Sequence, residues 1–172
     1  MTSFLYYLPM TMSKKPIKAI AVFDGKIKGF VRFNEDLKNA CVIIEIHLSG
    51  LKNNSLHVFH VHESGDLSEK CESMCAHFNP YKKTHGCPGL KERHVGDLGN
   101  ISTDGKGCVN TIMEDNVIKL RGSIANIIGR GLIIHADQDD CGQGDNPASK
   151  INGNAGKRIA CAVIGYAKDN YC

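Results

Sequence analysis

Long apolar runs are missing from this 172-residue sequence. No stretch approaches the roughly 18 residues that a membrane-crossing helix requires, so no membrane partner is expected. A marked charge excess is missing as well. Lys and Arg total 21 against 18 Asp and Glu, a formal charge of +3. That is too small to argue for a nucleic-acid partner. A secretory leader needs a basic start, an apolar stretch and a small-residue cleavage site. No Lys or Arg precedes Lys14, the apolar run 4–8 ends at Pro9, and no A-x-A pattern follows. Residues 1–15 therefore read as a flexible N-terminal extension, with Met10 and Met12 as alternative starts. Residues 16–172 read as one domain. Without a leader the expected compartment is the cytoplasm, where disulfides are rare. Frequent Lys, Asn and Ile point to an AT-rich genome, and a viral source would place the chain in a host cell or a virion. Internal repeats, low-complexity tracts and an amphipathic helix of about 12 residues are also absent.

What remains is an ordinary globular composition, 42% hydrophobic and 23% charged, long enough to bury a core. Short runs of strand character recur at 17–23, 26–33, 42–48, 56–62, 107–113, 117–121, 131–135 and 159–166. Gly, Asn and Asp separate them, as at Asp24-Gly25, Ser49-Gly50 and Asp104-Gly105. This rhythm predicts an all-β chain folded as an antiparallel sandwich or barrel. Two long segments, 63–98 and 136–158, break it. Loops of that length in a compact domain are usually functional.

The distinctive feature is eight histidines beside eight cysteines, side chains that hold borderline and soft metals. If 56–62 is a strand, residues two apart share a face. His60 and His62 then point one way and can grip one metal together. His57 points the other way, with Phe59 and Val61, and reads as a hydrogen-bonded core residue. His47, in a different run, reads as a surface residue. The first long segment carries His77, His85, His94 and Asp97 at spacings of 8, 9 and 3. Three imidazoles and a carboxylate suit four-coordinate zinc. His135 ends the run 131–135 and can add a third imidazole to His60 and His62. An open, all-imidazole site suits copper. A histidine-rich loop that holds no metal is the plain alternative.

Six motifs then stand out: F-H-V-H-E-S-G-D (59–66), H-F-N-P (77–80), H-G-C-P (85–88), E-R-H-V-G-D-L-G-N (92–100), I-I-G-R (127–130) and G-N-A-G-K-R-I-A-C (153–161). In order and separation they resemble the copper–zinc superoxide dismutase family, from about residue 17 to residue 168. The resemblance implies an eight-stranded Greek-key β-barrel or sandwich of the immunoglobulin-like class, with two long functional loops. It implies an oxidoreductase that converts superoxide to O2 and H2O2 by alternating Cu(II) and Cu(I), with a structural zinc. One copper and one zinc per chain follow. Copper falls on His60, His62, His77 and His135, and zinc on His77, His85, His94 and Asp97. His77 would bridge the two ions and, with Arg158, form the catalytic pair. Asp139 matches the aspartate that orients His60 and His85. Arg158 matches the arginine that draws in the anionic substrate, and Cys71 with Cys161 matches the family's disulfide. Closing that loop of about 90 residues is worth roughly 4–5 kcal/mol in the chain-entropy model. A homodimer and a copper chaperone are the partners the family implies.

The chain also departs from the family. Ser64 stands where an interface aromatic is common, which weakens the case for that dimer contact, although Ile128, Gly129 and residues 164–167 resemble the interface strip. The stretch 145–150 has fewer acids than is usual, and Lys150 is a candidate at the channel mouth or simply a solvated lysine. Cys75-Ala76 replaces a Gly-Pro pair before the bridging histidine. Cys41, Cys75, Cys87, Cys108, Cys141 and Cys172 have no family role and read first as free thiols. Cys75 and Cys87, each two residues from a ligand, could instead compete for zinc or form an extra disulfide. Non-enzymatic readings are a copper/zinc-binding or chaperone-like domain and a zinc-stabilised interaction module of the same fold. The complete set of seven ligand positions together with Arg158 argues against both.

Overall fold

The computed structural model describes residues 14–168. The expected N-terminal extension, except its last two residues, and Cys172 lie outside the described residues. Among the described residues nine strands are formed: β1 (Lys18–Asp24), β2 (Lys28–Asp36), β3 (Cys41–Ser49), β4 (Leu56–His62), β5 (Asp97–Ser102), β6 (Val109–Asp115), β7 (Gly131–His135), β8 (Arg158–Val163) and β9 (Gly165–Tyr166). One sheet has the order β6-β3-β2-β1-β9 and the other β5-β4-β7-β8. All their pairings are antiparallel. The chain meanders through β1, β2 and β3, crosses for β4 and β5, and returns for β6. It then crosses again so that β7 lies beside β4, which is the Greek-key connection. No helix among the described residues is long and apolar enough to cross a membrane.

The all-β expectation holds, with two instructive shifts. Run 117–121 is not a strand, although Ile118 and Leu120 are buried at alternate positions. The Asp115 carboxylate accepts the backbone N–H groups of Val117 and Ile118 at 2.7 and 2.8 Å, which turns the chain out of the sheet. Conversely, β5 forms from D-L-G-N-I-S, a segment of low strand propensity. Strand β9 is a two-residue continuation of β8. After Ile164 the run leaves one sheet and joins the other beside β1.

The core lies between the sheets. Alternating residues supply it: Ala19, Ala21 and Phe23 from β1, Val31 and Phe33 from β2, Ile44 and Ile46 from β3, and Leu132 and Ile134 from β7. Strand β4 is unusual because every residue from His57 to His62 is buried. Phe59 and Val61 face the core, and the opposite face is roofed by segment 63–96. Register shifts occur between Val58 and His60, and between Ile134 and His135. Such irregularities re-aim side chains, and both adjoin candidate ligands.

The roof is knitted to β4 through its backbone. Phe78 N–H donates to the Val61 carbonyl at 2.9 Å, Gly96 N–H to Phe78 O at 3.0 Å, and Val61 N–H to Gly96 O at 2.9 Å. His62 and His77 also form an isolated bridge. Three segments bearing His60, His62, His77, His94 and Asp97 are thereby locked together. The lock needs a glycine: a Cβ at Gly96 would sit 2.1 Å from the Val61 carbonyl oxygen. Gly96→Ala should therefore part the roof from β4 and lower stability by about 1–3 kcal/mol, read from urea unfolding of the metal-free protein.

Candidate metal centre

The roof and the sheet bring five histidines together around His77. Its ring centroid lies 4.0, 5.0, 5.4, 5.5 and 6.2 Å from those of His60, His62, His85, His94 and His135. His60, His62, His77 and His135 form one buried group whose donor atoms all lie within 4.8 Å of one another. His47 and His57 stand apart. His47 is exposed and bonded to Asn110, and His57 is buried with its Nδ1 against the His135 carbonyl at 3.0 Å.

Hydrogen bonding sets which ring nitrogen of each histidine is free. His60 Nε2 meets Asp139 Oδ2 at 2.9 Å, His62 Nδ1 meets the Cys75 carbonyl at 2.9 Å, and His135 Nδ1 meets the Gly156 carbonyl at 3.3 Å. Each of these nitrogens donates, so the other carries a lone pair. Those others, His60 Nδ1, His62 Nε2 and His135 Nε2, are buried with no hydrogen-bond partner. An orphaned lone pair in a dry site is costly unless a ligand takes it. Three convergent imidazole lone pairs fit copper.

The neighbouring set centres on Asp97. Its Oδ1 lies 2.9 Å from His77 Nδ1 and 3.1 Å from the Nδ1 atoms of His85 and His94. Tetrahedral zinc with bonds of about 2.0–2.1 Å would space its donors by roughly 3.3 Å. The three distances from Asp97 Oδ1 come within a few tenths of an ångström of that spacing. His60 also falls within 4.8 Å of His77, His85 and Asp97. His60 is itself bonded to Asp139, and His94 Nδ1 lies 3.1 Å from Asp97 Oδ1.

Burial and neighbouring charge shape the titration of the cluster. His60, His62 and His135 are pulled down to about 3, 2 and 4, chiefly because burial penalises the imidazolium. His77 is lowered for the same first reason. Burial also opposes protonation of His85, but hydrogen bonds and charge from Asp139 and Asp97 outweigh it and raise the pKa to about 9. Asp97 and Asp139 are held well below the usual carboxylate range. Burial acts against that, and the surrounding imidazoles overcome it.

Arg158 stands opposite His135 in the register of β7 and β8. Its guanidinium donates to the carbonyls of Cys71 and Cys75, both at 2.6 Å. Cys71 is bonded to Cys161, with Cα atoms 5.5 Å apart. A cavity of about 330 Å³ beside the cluster is lined by His77, His94, Lys150, Glu63 and Thr84 among others. Lys150 lies in that lining, and its ammonium donates to the Gly142 carbonyl.

A family model described as copper/zinc superoxide dismutase matches residues 27–164. The chain belongs to the copper/zinc superoxide dismutase family. It is 56% identical over 158 residues to a "Superoxide dismutase [Cu-Zn]" of Paramecium bursaria Chlorella virus 1, covering 92% of this chain and 83% of the relative. Enzymes of the same name from Yarrowia lipolytica and Candida albicans are 44% and 46% identical. Those matches cover 87% and 88% of this chain and 97% and 99% of the relatives. The family's copper and zinc agree with the two donor groups.

Three features escaped the reading of residues one at a time. Asn100 holds the backbone of Asp139 from both sides, accepting its N–H at 2.8 Å and donating to its carbonyl at 3.0 Å. Cys87 and Cys141, read first as free thiols with an extra disulfide as the alternative for Cys87, are joined in a second disulfide. The two long loops that carry them pack together, and neither loop's path was readable from spacing. Cys41, Cys75 and Cys108 are free. Cys75 takes φ 63° and ψ −146°, a backbone region that glycine favours. The substitution of Cys-Ala for Gly-Pro therefore keeps a glycine-like turn, whose carbonyl serves both His62 and Arg158.

These shifts predict how the metal-free protein responds to pH. An unfolded histidine takes its proton near pH 6.5, whereas folded His60, His62 and His135 resist it until pH is far lower. The unfolded state then binds more protons, so stability falls as pH drops below about 6.5. Asp97 and Asp139 add to that acid loss. His85 acts oppositely: its extra folded-state proton stabilises below about 6.5 and is lost as pH rises through about 9. Urea midpoints of chelator-treated protein should peak near neutrality and decline on both sides. A flat profile would contradict the assigned environments.

Proposed function

We propose that this chain disproportionates superoxide to O2 and H2O2 with copper held by His60, His62, His77 and His135 and zinc held by His77, His85, His94 and Asp97. The observation that carries the reading is the set of orphaned lone pairs on His60, His62 and His135, beside three imidazole nitrogens within 3.1 Å of Asp97 Oδ1. When bound, copper supplies the one-electron redox change that protein side chains lack, and zinc, which has no redox chemistry, orders the loop.

The chain's own residues position, attract and transfer protons. His77 is shared by both donor sets, with Nδ1 turned to Asp97. Its Nε2 is the group suited to taking up a proton and handing it to the reduced substrate. Two superoxide ions need two protons in all, and solvent provides the second. Arg158, fixed by two carbonyls rather than paired with a carboxylate, keeps its cation available to an anion. Asp139 fixes the tautomers of His60 and His85 through one carboxylate.

A homodimer, delivery of copper by a chaperone, and a cytoplasmic location, in a host cell if the source is viral, complete the proposal. Support for the non-enzymatic alternatives is weak, because the donor sets and Arg158 occur together.

Purified, metal-loaded protein should contain about one copper and one zinc per chain and remove superoxide faster than free copper does. Copper-loaded protein with no such activity would sink the enzymatic reading. Arg158→Ala should lower the rate about tenfold while both metals stay bound, and flatten its dependence on ionic strength. Stopped-flow decay of superoxide alongside metal analysis measures both.

A further inference from the structure

The Cys87–Cys141 disulfide bridges the two loops where their side chains meet the metal centre. Cys87 lies two residues after His85, and Cys141 lies two residues after Asp139. Between those partners runs the hydrogen bond from His85 Nε2 to Asp139 Oδ1, 2.8 Å long. The same oxygen accepts the backbone N–H of Cys141 at 2.7 Å. The other oxygen, Oδ2, reaches His60. The covalent path 85–87, the S–S bond and 141–139 thus closes a small ring around the carboxylate that joins His60 of one donor set to His85 of the other.

Other contacts show how tightly this corner is built. His85 N–H donates to the Lys150 carbonyl at 3.0 Å. A Cβ on Gly142 would lie 2.6 Å from the His85 carbonyl oxygen, so the loop backbones touch directly. Asn100 holds Asp139 from the sheet side. Cys71–Cys161 is different in kind. It ties the start of the roof to β8 near Arg158 and does not reach the His85 end.

We infer that Cys87 and Cys141 are positioning residues: their disulfide clamps His85 against Asp139 and so retains zinc and keeps the half-built site ordered when metal leaves. A short covalent ring restricts the displaced states that a lone hydrogen bond permits. Without it, loss of zinc would free His85 and let the Asp139 link to His60 wander. The inference rests on zinc occupying the Asp97-centred set.

The test compares wild type with Cys87→Ser/Cys141→Ser in the full chain, with Cys71–Cys161 intact. Zinc transfer to a chromogenic chelator should be at least about tenfold faster in the variant. Co2+ placed in the zinc site should show altered visible bands. In the metal-free proteins, the amide of Cys141 should lose hydrogen-exchange protection while amides in β1–β3 keep theirs. Unchanged zinc release and an unchanged Co2+ spectrum, even with a lower melting temperature, would overturn the proposal and leave the bond a simple staple. The reciprocal chain, Cys71→Ser/Cys161→Ser, keeps the Cys87–Cys141 bond. Treating it with a dithiol should accelerate zinc release by a similar factor, and no change would likewise overturn the clamp even if the first variant fails to fold. A wild-type chain that takes up no zinc would overturn the zinc assignment and the clamp together.

Discussion

Burying Asp97 and Asp139 is tolerable only because imidazoles and backbone amides surround each carboxylate, and much of the molecule follows from that requirement. Asp97 gathers His77, His85 and His94 and also accepts the backbone N–H groups of Gly86 and His94. Asp139 gathers His60 and His85. Strand β5 exists where it does because Asp97 begins it, beside β4. Arg93 adds a further tether, donating to the Asp97 carbonyl at 3.0 Å and pairing with buried Asp115 at the end of β6. The two acids thus connect the roof, both sheets and the second long loop.

Metal uptake and folding are consequently hard to separate. The orphaned nitrogens of His60, His62, His85 and His135 belong to a state that bound ions complete. The barrel does not rest on them alone, since its apolar core is continuous from β1 to β7. What the ions would stabilise most directly is the arrangement of the roof. The two disulfides lie at that same roof, one near each end.

Strand parity made part of the site legible from sequence. H-V-F-H-V-H places His60 and His62 on one face and His57 on the other, and the folded chain has that division. The all-β class was likewise readable from short β-branched runs between turn residues. Which histidine pairs with which carboxylate was not carried by spacing; the family resemblance provided it. Run 117–121 misled because burial at Ile118 and Leu120 imitates a strand period while Asp115 bends the backbone away. Strand β5 was hidden because it begins with the buried Asp97 and holds Gly99 at a positive φ, residues of low strand propensity. Cys87 and Cys141, 54 residues apart, find each other only through loop paths that no local pattern encodes.

Strand β4 has two interiors. One face packs into the barrel core and the other into the polar roof, so no position from His57 to His62 is open to solvent. For an ordinary surface strand, about half the positions accept random substitution with little effect. Here neither parity has slack: apolar changes at Phe59 or Val61 open cavities, and changes at His60 or His62 remove donors. In mutational-tolerance terms His57–His62 behaves as a single six-residue word, and evolutionary novelty in this chain has room to accumulate on the outward faces of β1–β3 and β6 instead.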